Sequence, residues 1–266
     1  MKLPTIFLSH GGGPCFWMAF PEPFGPHAFD ALRDHLDCLL ASLPERPKAI
    51  LMVSAHWEED LPTVGSAPAP GMIYDYFGFP PHTYHLTYPA PGAPALARRV
   101  QDLLAAAQIE SREDPKRGFD HGVFVPMMIA DPKAEIPVAT LSLRQDLSPA
   151  KHLAIGAALE PLREEGVLIL GSGNSFHNLQ TFFDGARGAS EAFDCWLTAA
   201  VETPEPAGRN EKLAHWAKAP GARECHPREE HLLPLMVVAG AAGADKGKRD
   251  YHDAIANKVI SGYRFG

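Results

Sequence analysis

Positive charge is scarce in this sequence. Lys and Arg total 24 against 32 for Asp and Glu, giving a formal net charge of −8 at pH 7. A deficit of that size argues against nucleic acid or an anionic membrane surface as a partner. Long hydrophobic runs are missing as well. The most continuous one near the C-terminus, Leu232 to Ala242, is far short of a membrane span and contains Pro234. At the N-terminus, Lys2 and a short apolar stretch lead straight to His10 and three glycines, without the hydrophobic core length or small-residue cleavage site of a signal peptide. There are only four cysteines, Cys15, Cys38, Cys195 and Cys225, with no Cys-x-x-Cys pair. No disulfide scaffold is expected, and the thiols read as reduced, which points to the cytoplasm. Phosphate loops of the Gly-x-x-x-x-Gly-Lys type, the Gly-x-Gly-x-x-Gly fingerprint and the His-Glu-x-x-His zinc motif are all absent.

The composition is otherwise that of a globular protein, with 45% hydrophobic and 21% charged residues. A chain of 266 residues without a linker or internal repeat reads as a single domain over 1–266. Short β-rich runs alternate with amphipathic helical runs, the pattern of an α/β sheet protein. Thr5 to Leu8, Ala49 to Val53, Ile136 to Leu143 and Val167 to Leu170 read as strands. Helices are expected over about 27–43, 94–107, from Ser148-Pro149 to Gly166, 189–202, 210–217 and 227–240. The last of these would carry Glu229 and Glu230 at its positive end. Proline, at 26 residues, is abundant, and it concentrates in an irregular stretch from Pro62 to Pro94 that also holds Tyr74, Tyr76, Phe77, Phe79, Tyr84 and Tyr88. A loop of that length inside a compact domain is usually a wall or lid over a site.

Histidine is also abundant, at 13 residues. Three apolar strands each run into a polar cluster with a histidine: Ser9-His10, Ser54-Ala55-His56, and Gly171-Ser172-Gly173-Asn174-Ser175-Phe176-His177. Ligands of α/β sheets bind outside the carboxyl ends of the strands. If these strands are parallel neighbours, the three histidines share one crevice. Imidazole is the commonest protein ligand of transition metals, and a catalytic metal needs about three protein ligands with open positions. His231 is a candidate supplementary ligand. His226 and Cys225 have suitable spacing too, but a loop residue and a packed thiol are the plainer readings of those two. In Gly118-Phe119-Asp120-His121-Gly122, His121 reads either as a polar group of the site with its ring oriented by Asp120, or as half of a turn-stabilising pair. His82 and His85 could line a pocket mouth; His27, His35, His152, His215 and His252 read as structural.

Six motifs in chain order carry a family resemblance: Ser9-His10-Gly11-Gly12, Ser54-Ala55-His56-Trp57, Tyr88-Pro89-Ala90-Pro91-Gly92, Gly118-Phe119-Asp120-His121-Gly122, Ser172 to Leu179, and Glu230-His231-Leu232-Leu233-Pro234-Leu235. The sequence resembles the class III extradiol ring-cleavage dioxygenases of the DOPA 4,5-dioxygenase type. The resemblance implies one α/β domain with a central mixed, largely parallel sheet flanked by helices. It implies Fe(II)-dependent cleavage of a catechol by O2, with metal ligands at His10, His56 and His231. It also implies a base at His177, close enough to the metal to become a fourth contact with zinc, and a second active histidine at His121 beside the substrate or dioxygen. Zn(II) binds the same nitrogens at least as well under the general affinity order. Many members have Ser-Pro directly after the first His-Gly, where this chain has Gly12-Gly13-Pro14; that departure bears on the preferred substrate and leaves the ligands intact. Two other classes use the same histidines, a zinc-dependent hydrolase and a non-catalytic metal or small-molecule binding protein. Homo-oligomers are common among enzymes, and no interface is visible in the sequence.

Overall fold

The computed structural model describes every residue except Pro23 and 184–186. The first half of the chain forms β1 (Thr5–Ser9), α1 (Asp30–Asp37), β2 (Ala49–Glu59), β3 (Thr63–Gly65), α2 (Pro94–Ala106), β4 (Arg112–Asp114), α3 (His121–Ala130) and β5 (Val138–Arg144). The second half forms α4 (Pro149–Leu159), β6 (Val167–Gly173), α5 (Gly188–Val201), α6 (Pro206–Ala214), α7 (Ala222–Cys225), α8 (Leu233–Ala241), β7 (Gly247–Ile255) and β8 (Lys258–Phe265).

The eight strands make one mixed sheet in the order β4-β3-β5-β2-β6-β1-β8-β7. Its central strands β5, β2, β6 and β1 are parallel, while β8 joins β1 and β3 joins β5 antiparallel. β1, β6 and the first part of β2 are buried without alternation, as strands of a sheet covered by helices should be. Ser9 pairs with Gly173, and Ser172 with Ser54. This register brings the carboxyl ends of β1, β6 and β2 side by side, as a shared crevice requires.

Several elements differ from the sequence expectation. The first helix covers only Asp30–Asp37, and the chain tightens into a 3-10 turn at Leu40–Ser42. β2 does not stop at Val53 but runs through His56 to Glu59, with its pairing to β5 interrupted between Val53 and Glu58. Such a bulge re-aims side chains, and it sits at Ser54 to Trp57. The helix expected from Pro227 begins only at Leu233. Pro234 explains the delay: its ring excludes a helical carbonyl four residues back, at Glu230. His231 and the two glutamates therefore lie in the turns that precede α8. The β7–β8 hairpin was not anticipated. Its Ala256-Asn257 turn has φ of 46° and 67°, the positive values a two-residue hairpin needs, without the usual Asn-Gly signature.

α8 is buried on all sides and packs on β1, β2 and β6. Its approach depends on glycines in β6. A Cβ on Gly173 would collide with the backbone carbonyl of His231, and one on Gly171 would stand 2.6 Å from the Pro234 carbonyl oxygen.

Candidate metal centre and active site

His10 follows β1, His56 lies in the β2 bulge, His121 opens α3, His177 follows β6 and His231 precedes α8. All five line one cavity. The Nε2 atoms of His10 and His56 are 3.2 Å apart. The ring centroid of His121 is 3.9 Å from that of His56. That of His231 is 4.8 Å from His56 and 5.3 Å from His10. His177 stacks on His231 at 3.3 Å.

Each ring turns its Nδ1 away from the centre toward a partner. His10 Nδ1 lies 3.0 Å from the Ser172 hydroxyl, which donates its own proton to the Gly122 carbonyl and so accepts from the ring. His121 Nδ1 donates to Asp75 at 2.7 Å, and the other Asp75 oxygen is 3.5 Å from His56 Nδ1. Glu230 Oε1 accepts from His231 Nδ1 at 2.9 Å and lies 3.3 Å from His177 Nδ1. A hydrogen bond from one ring nitrogen fixes the tautomer and leaves the other as a lone-pair donor, the arrangement usual around metal-bound histidines.

Burial, reinforced by the neighbouring histidines, holds the pKa values of His10 and His56 well below the ordinary imidazole range. Burial also pushes His231 down to about 3, against the opposing hydrogen bond to Glu230. For Glu230, burial opposes ionisation, but hydrogen bonds from His177 and His231 outweigh it and hold the carboxyl far below the usual range. Asp75 is likewise lowered: burial pushes it up and the bonds from His121 overcome that. Neutral imidazoles with bonded carboxylates behind them are the form a divalent cation requires. Two neutral nitrogens facing each other at 3.2 Å repel as lone pairs unless a cation or proton lies between them, so the donor set fits a metal. Among the described residues two separate sets of ligand atoms are available, His10, His56 and His121 in one and His177, Glu230 and His231 in the other, the atoms of each set within 4.8 Å of one another.

Asp120 does not orient His121. Its carboxylate accepts from Ser54 at 2.7 Å and from Arg117 at 3.0 Å, while Arg117 also reaches the His56 carbonyl at 3.4 Å and lies over the Trp57 ring. Asp120 is a strut between the β2 bulge and the start of α3. Burial, with Asp75 nearby, pushes its pKa up despite the Ser54 bond. The orienting role belongs to Asp75, which also accepts from the His121 backbone at 3.0 Å.

His226 stays outside the cluster. It is buried and donates from Nε2 to the Ser175 carbonyl at 2.8 Å. With the His177 N–H bonded to the Cys225 carbonyl and Asn178 to that of Glu224, it ties the His177 loop to the segment before His231. Cys225 is buried, and all four cysteines are free. His82 donates to the Trp17 carbonyl, and neither it nor His85 lines the cavity. The aromatic loop contributes Tyr76 and Phe79 to the wall, and Phe20, Phe24, Phe29, Phe176 and Phe182 add an apolar side that sequence reasoning did not reach. Asp75, Glu230 and Ser172 were also missed as site residues, as was Asn174, which lines the cavity with its amide nitrogen 3.3 Å from His10 Nε2. Glu230 adjoins His231, and Asp75 sits between two tyrosines of the loop already read as a site wall.

Comparison with known proteins gives a consistent picture. The family described as the catalytic LigB subunit of aromatic ring-opening dioxygenase matches residues 4–264. A 4,5-DOPA dioxygenase extradiol of Beta vulgaris is 42% identical, covering 98% of this chain and 96% of that protein. The dioxygenase tasH of Hapsidospora irregularis is 38% identical over 99% of this chain and 85% of that protein. A crystal structure of an uncharacterized protein from Escherichia coli K12 superposes with a TM-score of 0.78 at 29% identity, covering 100% of both chains. No helix among the described residues is long and apolar enough to cross a membrane. With a sheet-end histidine cluster at its centre, the chain belongs to the LigB family of aromatic ring-opening dioxygenases.

Proposed function

We propose that the protein cleaves a catechol ring in the extradiol manner, using Fe(II) held by His10, His56 and His231. The observation that carries this reading is the facing pair of neutral His10 and His56 nitrogens, each ring braced from behind, at the end of an apolar cavity. His231 completes the set because Glu230 ties up its Nδ1 and leaves Nε2 as donor. A divalent metal bound there would bring the two adjacent substrate oxygens and dioxygen together, which leaves about three positions for protein. The ring bond beside the diol breaks and both oxygen atoms of O2 enter the product, one in an aldehyde and one in a carboxylate.

His177, backed by Glu230, takes a catechol proton as the substrate binds and returns a proton when the product forms. His121, whose Nδ1 donates to Asp75, turns the lone pair of Nε2 to the substrate and accepts a hydrogen bond from a catechol hydroxyl. Tyr76 and Phe79 pack against the ring. Four free cysteines fit a reducing cytoplasm. Neither a hydrolase nor a non-catalytic binder is favoured by the family match. The test is anaerobic loading with Fe(II), then catechol and air. A yellow ring-opened product with one O2 consumed per ring is expected; an intact ring in the iron-loaded protein would remove the assignment.

A further inference from the structure

The cavity has a volume of about 420 Å³. That lies within the roughly 300–1,000 Å³ usual for small-molecule sites and exceeds what a bare dihydroxybenzene ring fills. Beyond the histidines its wall is mostly hydrocarbon. Phe24 packs edge-on against Phe183 at 4.9 Å and lies 5.6 Å from Phe182, and Leu179, Ile255 and Ile260 extend the same surface. Among the described residues, no Lys, Arg, Asp or Glu side chain lines it. Lys258, whose ammonium lies 5.5 Å from the Phe176 ring centroid, is not a wall residue. Leu179 is 69% exposed and Phe183 58%, yet both belong to the wall. The apolar surface therefore continues from the histidines out to solvent.

We propose that the substrate is a catechol whose ring substituent is uncharged and apolar, an alkyl or aryl group, and that a carboxylate or ammonium on that substituent is selected against. The proposal rests on the ring-cleavage reading above. A charged substituent entering this wall leaves water and meets no charged side chain among the described wall residues, which is unfavourable. A hydrocarbon substituent gains by leaving water at every added carbon. Orientation is set by the diol at the histidines, so the substituent lies along the hydrocarbon wall.

The test uses the full chain loaded with Fe(II). Specificity constants are measured for 4-methyl-, 4-ethyl- and 4-propylcatechol and for charged counterparts of similar length: dihydroxyphenylpropionate, dopamine and 3,4-dihydroxyphenylalanine. Each methylene should raise kcat/KM by about fourfold, the size expected for moving one CH2 out of water. The charged compounds should fall at least tenfold below propylcatechol. A flat alkyl series, or charged substrates that match the propyl compound, would overturn the proposal. Calorimetric binding of the same compounds separates the two readings. If no catechol is cleaved but affinity still climbs with alkyl length, ring cleavage fails and the apolar specificity stands. Leu179→Arg and Phe183→Arg, both at exposed positions, should shift the propionate-to-propyl ratio by about tenfold toward the acid. An unchanged ratio in both folded variants would show that the substituent does not lie on this wall.

Discussion

Among the five clustered histidines, identity of side chain does not fix role; the partner behind each ring does. His10, His56, His121, His177 and His231 are all imidazoles within one cavity, but Asp75 and Glu230 each back a pair of them while Ser172 backs His10 alone. The proposed ligand set predicts that His231→Ala loses most bound metal, while His121→Ala and His226→Ala keep it, as metal content by mass spectrometry would record. Metal retained after His231→Ala and lost after His121→Ala would transfer the third ligand to the His10, His56 and His121 group. His177→Ala should keep Fe(II) and bind catechol, yet turn over about two to four orders of magnitude more slowly, the scale of a general acid–base group. Asp75→Asn keeps the shape but removes the charge behind His121 and His56. It should slow turnover by about two orders of magnitude with little change in melting temperature. The histidines were legible in the sequence because three of them follow strand-like runs. Asp75 and Glu230 were not, because the contact between Asp75 and His121 spans 46 positions and because an acid soon after Pro227 looks like a helix start.

At the scale of elements, legibility followed the length of the apolar pattern. β1 and α2 end within a residue or two of their expected places and β6 begins at its expected residue and runs three further, because apolar residues are continuous in the strands and recur every three or four positions in α2. β3 and β4, at three residues each, are too short for any period to show. The β7–β8 hairpin was missed because its exposed strand alternates weakly and its turn lacks glycine. The bulge in β2 was invisible for another reason: a register shift belongs to the pairing with β5 and not to either strand alone. Close packing of the His231 segment on β6 gives an element-scale prediction. Gly173→Ala places a methyl group against the His231 carbonyl, which also accepts from the Asn174 N–H at 3.0 Å. Overpacking of this kind costs about 1–3 kcal/mol. The melting temperature should fall by several degrees, and metal affinity at least tenfold because a ligand moves. Gly188→Ala, whose new methyl would meet nothing within 4 Å, is the matched control. Equal metal affinity in the two variants would show that β6 does not position His231.

The whole molecule folds around imidazoles kept neutral, and this couples its stability to acid. His226 is fully buried, and burial lowers its pKa to about 4 from the ordinary 6.5, against the opposing bond to Ser175. His152, also buried, is lowered as well. In the unfolded chain such groups take up protons below pH 6.5, while the folded protein refuses them until about pH 4. The unfolded state therefore binds more protons across that window, so stability is full above it and drains away as pH falls through it. For His226 alone the loss is on the order of 3 kcal/mol. A bound metal adds to native stability at neutral pH, by about 2.7 kcal/mol when free metal exceeds its dissociation constant a hundredfold. That increment also fades in acid, because protons compete for the same nitrogens. Chelated and metal-loaded protein should thus differ in melting temperature at pH 7 and converge toward pH 5. His226→Gln keeps a donor for the Ser175 carbonyl but cannot titrate. In chelated protein it should flatten the fall of melting temperature between pH 6.5 and 5 while leaving the cluster's metal content unchanged. A slope identical to that of the unmodified chain would mean that His226 does not contribute, and that the acid sensitivity belongs to the metal cluster and to other buried histidines such as His152.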